Sequence, residues 1–137
     1  MSDDFNTFSP IGQETKRRIV GEKLFTSAAE AETPFDREWQ VYSNNQLWAR
    51  TWARGILSHQ QLSLMTLSIL AARGCMGEFE AQFRNALERT HVPPKQLREA
   101  LIHIGLYCGM PIGRQCFTVA SRVLKESGRD LDELMEP

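Results

Sequence analysis

The sequence lacks the signals of several large classes of protein. It has 137 residues and three cysteines without a Cys-x-x-Cys pair, so it offers neither a disulfide framework nor a zinc motif. Its net charge of −1 removes the main sequence signal for binding nucleic acid or an anionic membrane. No apolar run approaches the roughly 18 residues of a membrane span, and the N-terminal residues do not resemble a signal peptide. We therefore expect a cytoplasmic protein without nucleic-acid or membrane partners.

The common templates of nucleotide-binding and acyl-transfer enzymes are also missing. There is no P-loop, no Gly-x-Gly-x-x-Gly after a strand and no Gly-x-Ser-x-Gly. No segment alternates apolar and polar residues between turn signals over the length of a strand. The pattern favours an all-α fold, and the length fits a single domain, residues 1–137, with its core at about 15–126 between a frayed N-terminus and an acidic tail.

Capping residues and apolar periodicity predict about six helices. The first would run from Pro10 to about residue 31, with Ile19, Leu24 and Phe25 facing inward; the second, capped by Asp36, would continue to about residue 54. A capping box, Ser58 with Gln61, begins a helix that is apolar nearly all round and should therefore be buried. Three more helices would cover residues 77–90, the segment after Pro93-Pro94 and the segment after Pro111. The helix over residues 77–90 would have its inner stripe on Phe79, Phe83 and Leu87.

Residues 98–113 form the stretch around which the chain is organised. In a helix, Leu97, Leu101, Ile104 and Cys108 make one apolar stripe, and Glu99, His103 and Tyr107 recur every four residues along another. A buried imidazole or phenol needs a hydrogen-bond partner. The polar stripe is therefore either a satisfied internal network or one wall of a pocket.

His103 is the main candidate for acid–base chemistry, because an imidazole among apolar residues can have its proton affinity tuned toward neutrality. A core histidine bonded to a neighbouring helix is the simpler alternative. Tyr107 could orient a substrate through its hydroxyl, or lie with its ring in the core and its hydroxyl at the edge.

Two further groups could carry chemistry. Cys75, Glu78 and Gln82 share one helical face, which could equally be an exposed polar face at the beginning of a helix. Arg50 and Arg54, interleaved with Trp48 and Trp52, could hold a carboxylate between aromatic walls or pair with acids of a neighbouring subunit.

These residues together resemble the carboxymuconolactone decarboxylase family, which shares the alkylhydroperoxidase-D-like fold. The most specific match is Glu99, His103 and Tyr107-Cys-Gly-Met-Pro111 against a glutamate, a histidine and Tyr-Cys-Gly-(Val or Met)-Pro. Further matches are Trp48-x-x-x-Trp52-x-Arg54, Ser63-Leu-Met-Thr-Leu67, and Glu78 as the acid of Glu-Leu-x-x-His. The resemblance covers residues 15 to about 126.

The sequence departs from the family pattern at positions that carry charge or protons. The family histidine of Glu-Leu-x-x-His is Gln82, which cannot act as an acid or base at neutral pH, and the arginine before Ser63 is Leu62. Arg50 stands where an acid is frequent, and Gly55 where there is a proline. In the redox branch of the fold, only the first cysteine of Cys-x-x-Cys is kept, as Cys75, which disfavours dithiol peroxidase chemistry.

The resemblance implies a cofactor-independent decarboxylase for a small carboxylated lactone or unsaturated organic acid, with a divergent substrate or step. It implies His103 as proton donor or oxyanion partner, Glu78 as an orienting acid and Arg54 as the carboxylate anchor. The other substrate-binding candidates are Trp52, Tyr107, Gln82 and Arg50. It also implies a homo-oligomer, a trimer or hexamer, and the exposed apolar and aromatic surface of so short a chain favours shared burial. The alternatives are a non-catalytic oligomeric binding module and a one-thiol redox protein that uses Cys75.

Overall fold

The computed structural model describes residues 6–136, and within that range every regular element is helical, which confirms the all-α class. The chain divides into two compact units, Met1–His59 and Gln60–Pro137. In the described range there are eight α-helices rather than about six: α1 (Pro10–Val20), α2 (Glu22–Ala31), α3 (Arg37–Asn44), α4 (His59–Ala72), α5 (Met76–Glu88), α6 (Pro94–Cys108), α7 (Met110–Glu126) and α8 (Leu131–Leu134). None of these helices combines the length and the apolar character of a membrane span.

In the first unit, the predicted helix over residues 10–31 is wrong in one respect: it is two helices. Gly21 separates α1 from α2 with a φ of +86°, a conformation that favours glycine because other residues carry a Cβ. The Gly21 N–H still bonds the Arg17 carbonyl and so closes α1. The change of direction leaves Ile19 buried but Leu24 about half exposed, so the predicted inward position of Leu24 is also wrong.

The predicted continuation of α3 to residue 54 is also wrong, because the α-helix ends at Asn44. A π-helical turn, Asn45–Ala49, and a 3₁₀ turn, Trp52–Arg54, follow it. The Asn45 side chain explains this site: its Oδ1 accepts the Ser9 N–H at 2.8 Å, and its Nδ2 donates to the Thr7 carbonyl at 2.9 Å. These bonds satisfy a buried amide and fasten the turn to the segment that leads into α1.

Asp36 does precede α3 as predicted, but its carboxylate bonds Thr33 before the helix and the Gln40 side chain within it, at 3.3 Å, rather than the backbone N–H groups of the first turn. The carboxylate accepts the Thr33 N–H at 2.8 Å and the Thr33 hydroxyl at 3.1 Å, and it makes no cap bond to α3. The bond from the Thr33 N–H is the main reason why the pKa of Asp36 lies below its usual value. The residue therefore stabilises the turn before the helix.

The second unit contains the hydrophobic core. Phe79, Phe83 and Leu87 of α5 are all buried, which confirms their predicted stripe, and the two phenyl rings stack at 6.1 Å between centroids. The helices predicted after Pro93-Pro94 and at Pro111 are confirmed as α6 and α7, within a residue of the predicted starts. Core residues outside α5 are Leu67, Ala71, Val92, Leu97, Leu101, Ile104, Cys116, Ala120 and Val123.

Helices α6 and α7 approach each other at two glycines. A Cβ on Gly113 would lie 3.0 Å from the Gly105 Cα, and a Cβ on Gly105 would lie 3.3 Å from the Gly113 Cα, so neither position has room for a side chain. Gly109, with a φ of +100°, makes the turn between the helices. The glycine of the Tyr-Cys-Gly-Met-Pro motif thus permits the sharp reversal, and the glycines four residues to either side permit the close packing that follows.

Helix α4 differs from its predicted burial on all sides. Leu62, Leu67 and Ala71 are buried, but Met65 and Ile69, one turn apart, are about half exposed. Since the chain itself leaves this face uncovered, α4 has an apolar outer face as well as an apolar inner one.

Candidate functional site

The polar stripe of α6 lies on its exposed face, which excludes the first of its two predicted alternatives, a satisfied internal network. Glu99, His103 and Tyr107 are all exposed, and Tyr107 retains 82% of its accessible surface. The rings of His103 and Tyr107 lie 4.8 Å apart between centroids, which shows that the two side chains share one face as the spacing predicts. In a single chain the stripe is therefore neither a buried network nor a closed pocket wall.

An open groove of about 470 Å³ runs between α4 and α6 beside His103. Three α4 residues and four α6 residues line it: Leu64, Met65, Ser68, Gln96, Glu99, Ala100 and His103. Three of these seven residues are apolar, and neither lysine nor arginine is among them. A carboxylate held here would need its cation from another part of the protein.

Hydrogen bonds at the beginning of α4 hold the two helices that form the groove. The Gln60 amide donates to the carbonyls of Thr90 and His91, at 3.2 and 3.0 Å, in the segment that leads into α6. The buried hydroxyls of Ser63 and Thr90 form a hydrogen bond of 2.8 Å. Because the beginning of α4 is tied to the beginning of α6 and Ser68 lies beside His103 further along, the two helices run in the same direction.

Helix α5 carries the second group of predicted residues. Glu78 is exposed in its first turn, and Gln82, one turn later, is half-buried. Neither residue lines the groove beside His103. Cys75, also half-buried, stands immediately before the helix, with its Sγ 3.9 Å from the Arg73 carbonyl oxygen. The three residues lie at the beginning of α5, and their position on one helical face stays a prediction.

The remaining predicted residues lie in the first unit. The Trp52 indole is almost fully buried, with its centroid 5.5 Å from that of Trp48 and 5.6 Å from that of His59. The His59 Nε2 lies 3.0 Å from the Trp52 carbonyl oxygen. Arg54 and Arg50 are both exposed, at the end of the 3₁₀ turn and after the π-helical turn respectively. Trp52 therefore stabilises the segment from which the two arginines project.

Sequence reasoning missed the α4 wall of the groove. Met65 and Ser68 were assigned to a buried helix, and Gln96 was not singled out. A usable signal was the hydroxyl of Ser68 one turn after Leu64, which marks a polar position on an otherwise apolar helix. Among residues 6–136, no three His, Cys, Asp or Glu side chains are grouped closely enough to hold a metal ion.

Comparison with known proteins identifies related sequences. The family model described as "Carboxymuconolactone decarboxylase family" matches residues 38–122. A 4-carboxymuconolactone decarboxylase of Acinetobacter baylyi is 28% identical over 117 residues, which are 85% of this chain and 87% of that protein. A nitrosuccinic acid decarboxylase of Metarhizium robertsii is 26% identical over 115 residues, 84% of this chain and 80% of that protein. No solved structure matches the chain.

Proposed function

We propose, since this chain belongs to the carboxymuconolactone decarboxylase family, that it removes carbon dioxide from a small carboxylated lactone or related unsaturated acid without a cofactor. Both of the relatives described above bear the names of decarboxylases of small organic acids. That supports a decarboxylase-like enzyme; the choice of substrate and the roles of individual residues are our proposal.

The observation that carries the proposal is the position of His103. Its ring packs against that of Tyr107 and lines a groove large enough for a small organic acid. The groove offers apolar surface for the departing carboxylate from Leu64 and Met65, and an imidazole for the proton that must be returned.

The proposed chemistry requires only these groups. As the carbon–carbon bond to the carboxylate breaks, carbon dioxide leaves. The electron pair of that bond stays on the substrate and delocalises through the double bond onto the lactone oxygen. His103 then donates a proton to carbon, which discharges the dienolate, and the Tyr107 hydroxyl donates a hydrogen bond to the dienolate oxygen while it carries charge. Carbon dioxide and the proton account for every atom that leaves or arrives.

For the other predicted residues, the family resemblance supports the following roles. Arg54 anchors a second carboxylate of the substrate, assisted by Arg50, while Trp52 holds the segment that carries both arginines. Glu78 orients the substrate or the catalytic histidine, and Gln82 donates a hydrogen bond where the family has an imidazole. Because Gln82 supplies no proton and Leu62 supplies no charge, we expect the preferred acid to differ from 4-carboxymuconolactone.

The test is carbon dioxide release from 4-carboxymuconolactone, from nitrosuccinic acid and from a panel of unsaturated lactone acids. For whichever acid is turned over, His103→Gln should lower kcat/KM by at least about 100-fold, because general acid catalysis contributes about 10²–10⁴. His91→Asn is the matched control, since His91 is exposed outside the groove and has a φ of +57° that asparagine tolerates. Unchanged turnover in His103→Gln would remove His103 from the mechanism.

Gln82 favours a second candidate function, a binding module that keeps the fold without its chemistry. The residue replaces a family histidine with a group that cannot transfer protons at neutral pH. Titration with the same acids, followed by the fluorescence of Trp48 and Trp52, separates the two functions. Saturable binding without any carbon dioxide release would favour the module.

A further inference from the structure

We propose that a cavity beneath the C-terminal segment binds a small aromatic carboxylate, with the ring inside the cavity and the carboxylate on Arg98. The C-terminal cavity, as we call it, has a volume of about 160 Å³ and lies within the second unit, between α5, α6, α7 and the segment from Leu131 to Met135. None of the described residues lines both this cavity and the groove beside His103. The site therefore goes beyond the proposed function and does not depend on it.

The floor of the C-terminal cavity is buried and apolar. Phe83, Leu97 and Leu101 line it, and each is only 1% exposed. Every described residue around the cavity is apolar apart from one arginine and one serine. Close-packed cores contain few voids larger than a water molecule, and an engineered apolar cavity of about 150 Å³ stays dry and binds benzene. The C-terminal cavity therefore has the size and the lining that suit one aromatic ring.

The roof of the cavity is the short segment that follows α7. Gly128, with a φ of +75°, makes the turn after that helix, and Asp130 then caps α8 by accepting the Asp132 N–H at 2.9 Å. Leu131 and Met135 reach the cavity from this segment, and both side chains are half-buried. None of the four residues of α8 is fully buried. Because so little buried surface holds the roof, a ligand can enter without disturbing the core.

Arg98 determines the charge of the ligand. Its guanidinium lines the cavity, and its Nη1 donates to the Met135 Sδ at 3.0 Å. Among residues 6–136, no carboxylate forms an ion pair with Arg98. A thioether is a weak acceptor, whereas a carboxylate accepts two parallel hydrogen bonds from a guanidinium. A carboxylate at the cavity would therefore replace a weak partner of Arg98 with a strong one.

The remaining polar group favours the same kind of ligand. The Ser121 hydroxyl also lines the cavity, and it makes no hydrogen bond within the described part of the chain, so it is a second donor for an oxygen of the ligand. With one cation available, a dicarboxylate would place an unpaired charge beside apolar walls, which costs free energy. The ligand class is therefore an aromatic ring with one carboxylate, and benzoate is its simplest member.

The first experiment locates benzoate on the protein by NMR of ¹³C-methyl methionine. The Met135 methyl, assigned through Met135→Leu, should shift saturably as the aromatic ring enters, with a Kd below about 1 mM. The methyl of Met65, which lines the groove beside His103, should not shift. Benzyl alcohol keeps the ring without the charge, and acetate keeps the charge without the ring. Each should bind at least about tenfold more weakly than benzoate.

The second experiment removes the cation. Arg98→Gln should raise the Kd for benzoate at least about tenfold, because it removes the charge-assisted pair, and it should leave the Kd for benzyl alcohol unchanged. Arg129→Gln is the matched control. Arg129 is exposed and does not line the cavity, so this variant loses the same charge and should bind benzoate like wild type.

The third experiment fills the cavity from its roof. Leu131→Trp puts a larger side chain where the ring would lie, and it should raise the Kd for benzoate at least about tenfold. Leu134→Trp makes the same change in the same helix at another half-buried leucine, one that does not line the cavity, and it should bind like wild type. Circular dichroism checks the fold of both variants.

Three results would overturn the proposal. They are the lack of a saturable shift at Met135 up to about 10 mM benzoate, a shift at Met65 instead, and binding of benzoate by Arg98→Gln with the wild-type Kd. A shift at Met65 alone would place the acid in the groove beside His103 rather than in the C-terminal cavity. Failure of every acid to release carbon dioxide would remove the proposed function, and the NMR titrations would still decide this site.

Discussion

Helix α6 presents two apolar faces of similar composition and opposite fate. Leu101 and Ile104 on one face are 1% and 4% exposed, whereas Leu106 and Tyr107 on the other are 79% and 82% exposed. Hydrophobic burial depends on area and not on direction, so nothing in the side chains themselves distinguishes the two faces. The difference shows that one face completes the core of the single chain, and that the other remains available for a contact the chain does not make with itself.

The largest effect should come from truncating the inner face. Leu101→Ala removes a buried side chain and leaves a cavity, so it should lower the free energy of unfolding by about 2–5 kcal/mol. Leu106→Ala should change the unfolding of the isolated subunit by less than about 0.5 kcal/mol, because its side chain is already in water. Urea denaturation of both variants at one low protein concentration measures the difference.

A similar loss of stability in both variants would contradict this comparison. It would mean that Leu106 is covered within the single chain, against the 79% exposure of its side chain in the structure. Repeating the denaturation at high protein concentration sharpens the test, because a contact between copies adds stability only there.

Much of the second unit could be predicted because its signals are local. Pro94 and Pro111 mark the beginnings of α6 and α7, and the spacing of Phe79, Phe83 and Leu87 identifies the inner face of α5. The breaks in the first unit could not be predicted in this way. Gly21 is tolerated inside many helices, and the turn at Asn45 depends on Ser9 and Thr7, which are more than 30 residues away.

For the candidate site, periodicity placed His103 and Tyr107 together but did not determine their surroundings. The spacing left open whether the stripe belongs to a buried network or to the wall of a pocket. Its exposure follows from which helices pack on α6 and in which direction, and that is a tertiary property. The groove could not be predicted for the same reason, because its wall is formed by residues of both α4 and α6. The roles of Glu78, Arg54 and the other predicted residues stay predictions until turnover is measured.

A smaller loss of stability should arise where α6 packs against α7. Gly113→Ala adds a Cβ about 3.0 Å from the Gly105 Cα, and because the obstacle is backbone, the helices must move apart. We expect a loss of about 1–3 kcal/mol in the free energy of unfolding.

Gly77→Ala is the control for this effect. The position is helical with nothing within 4 Å of the added Cβ, so the substitution should be neutral or stabilise by up to about 1 kcal/mol. If Gly113→Ala were as stable as Gly77→Ala, α6 and α7 would not be packed as closely at Gly105 and Gly113 as the structure shows.

The smallest effect concerns Cys116, a fully buried thiol on α7. Burial, and secondarily the charge of Cys108 at the end of α6, raises its pKa from 9.0 to about 11. Between these two values the unfolded chain loses the thiol proton while the folded chain keeps it, so the folded state binds more protons and the free energy of unfolding falls as pH rises. The slope from this group is at most about 1.4 kcal/mol per pH unit, and it vanishes below about pH 8.

In urea titrations from pH 8 to 11, Cys116→Ala should therefore show a shallower fall in the free energy of unfolding than the wild type, while Cys75→Ala, at a half-exposed position, should keep the wild-type slope. If Cys116→Ala also kept the wild-type slope, the Cys116 thiol would ionise in the folded protein as it does in water. The side of α7 that carries Cys116 would then be open to solvent.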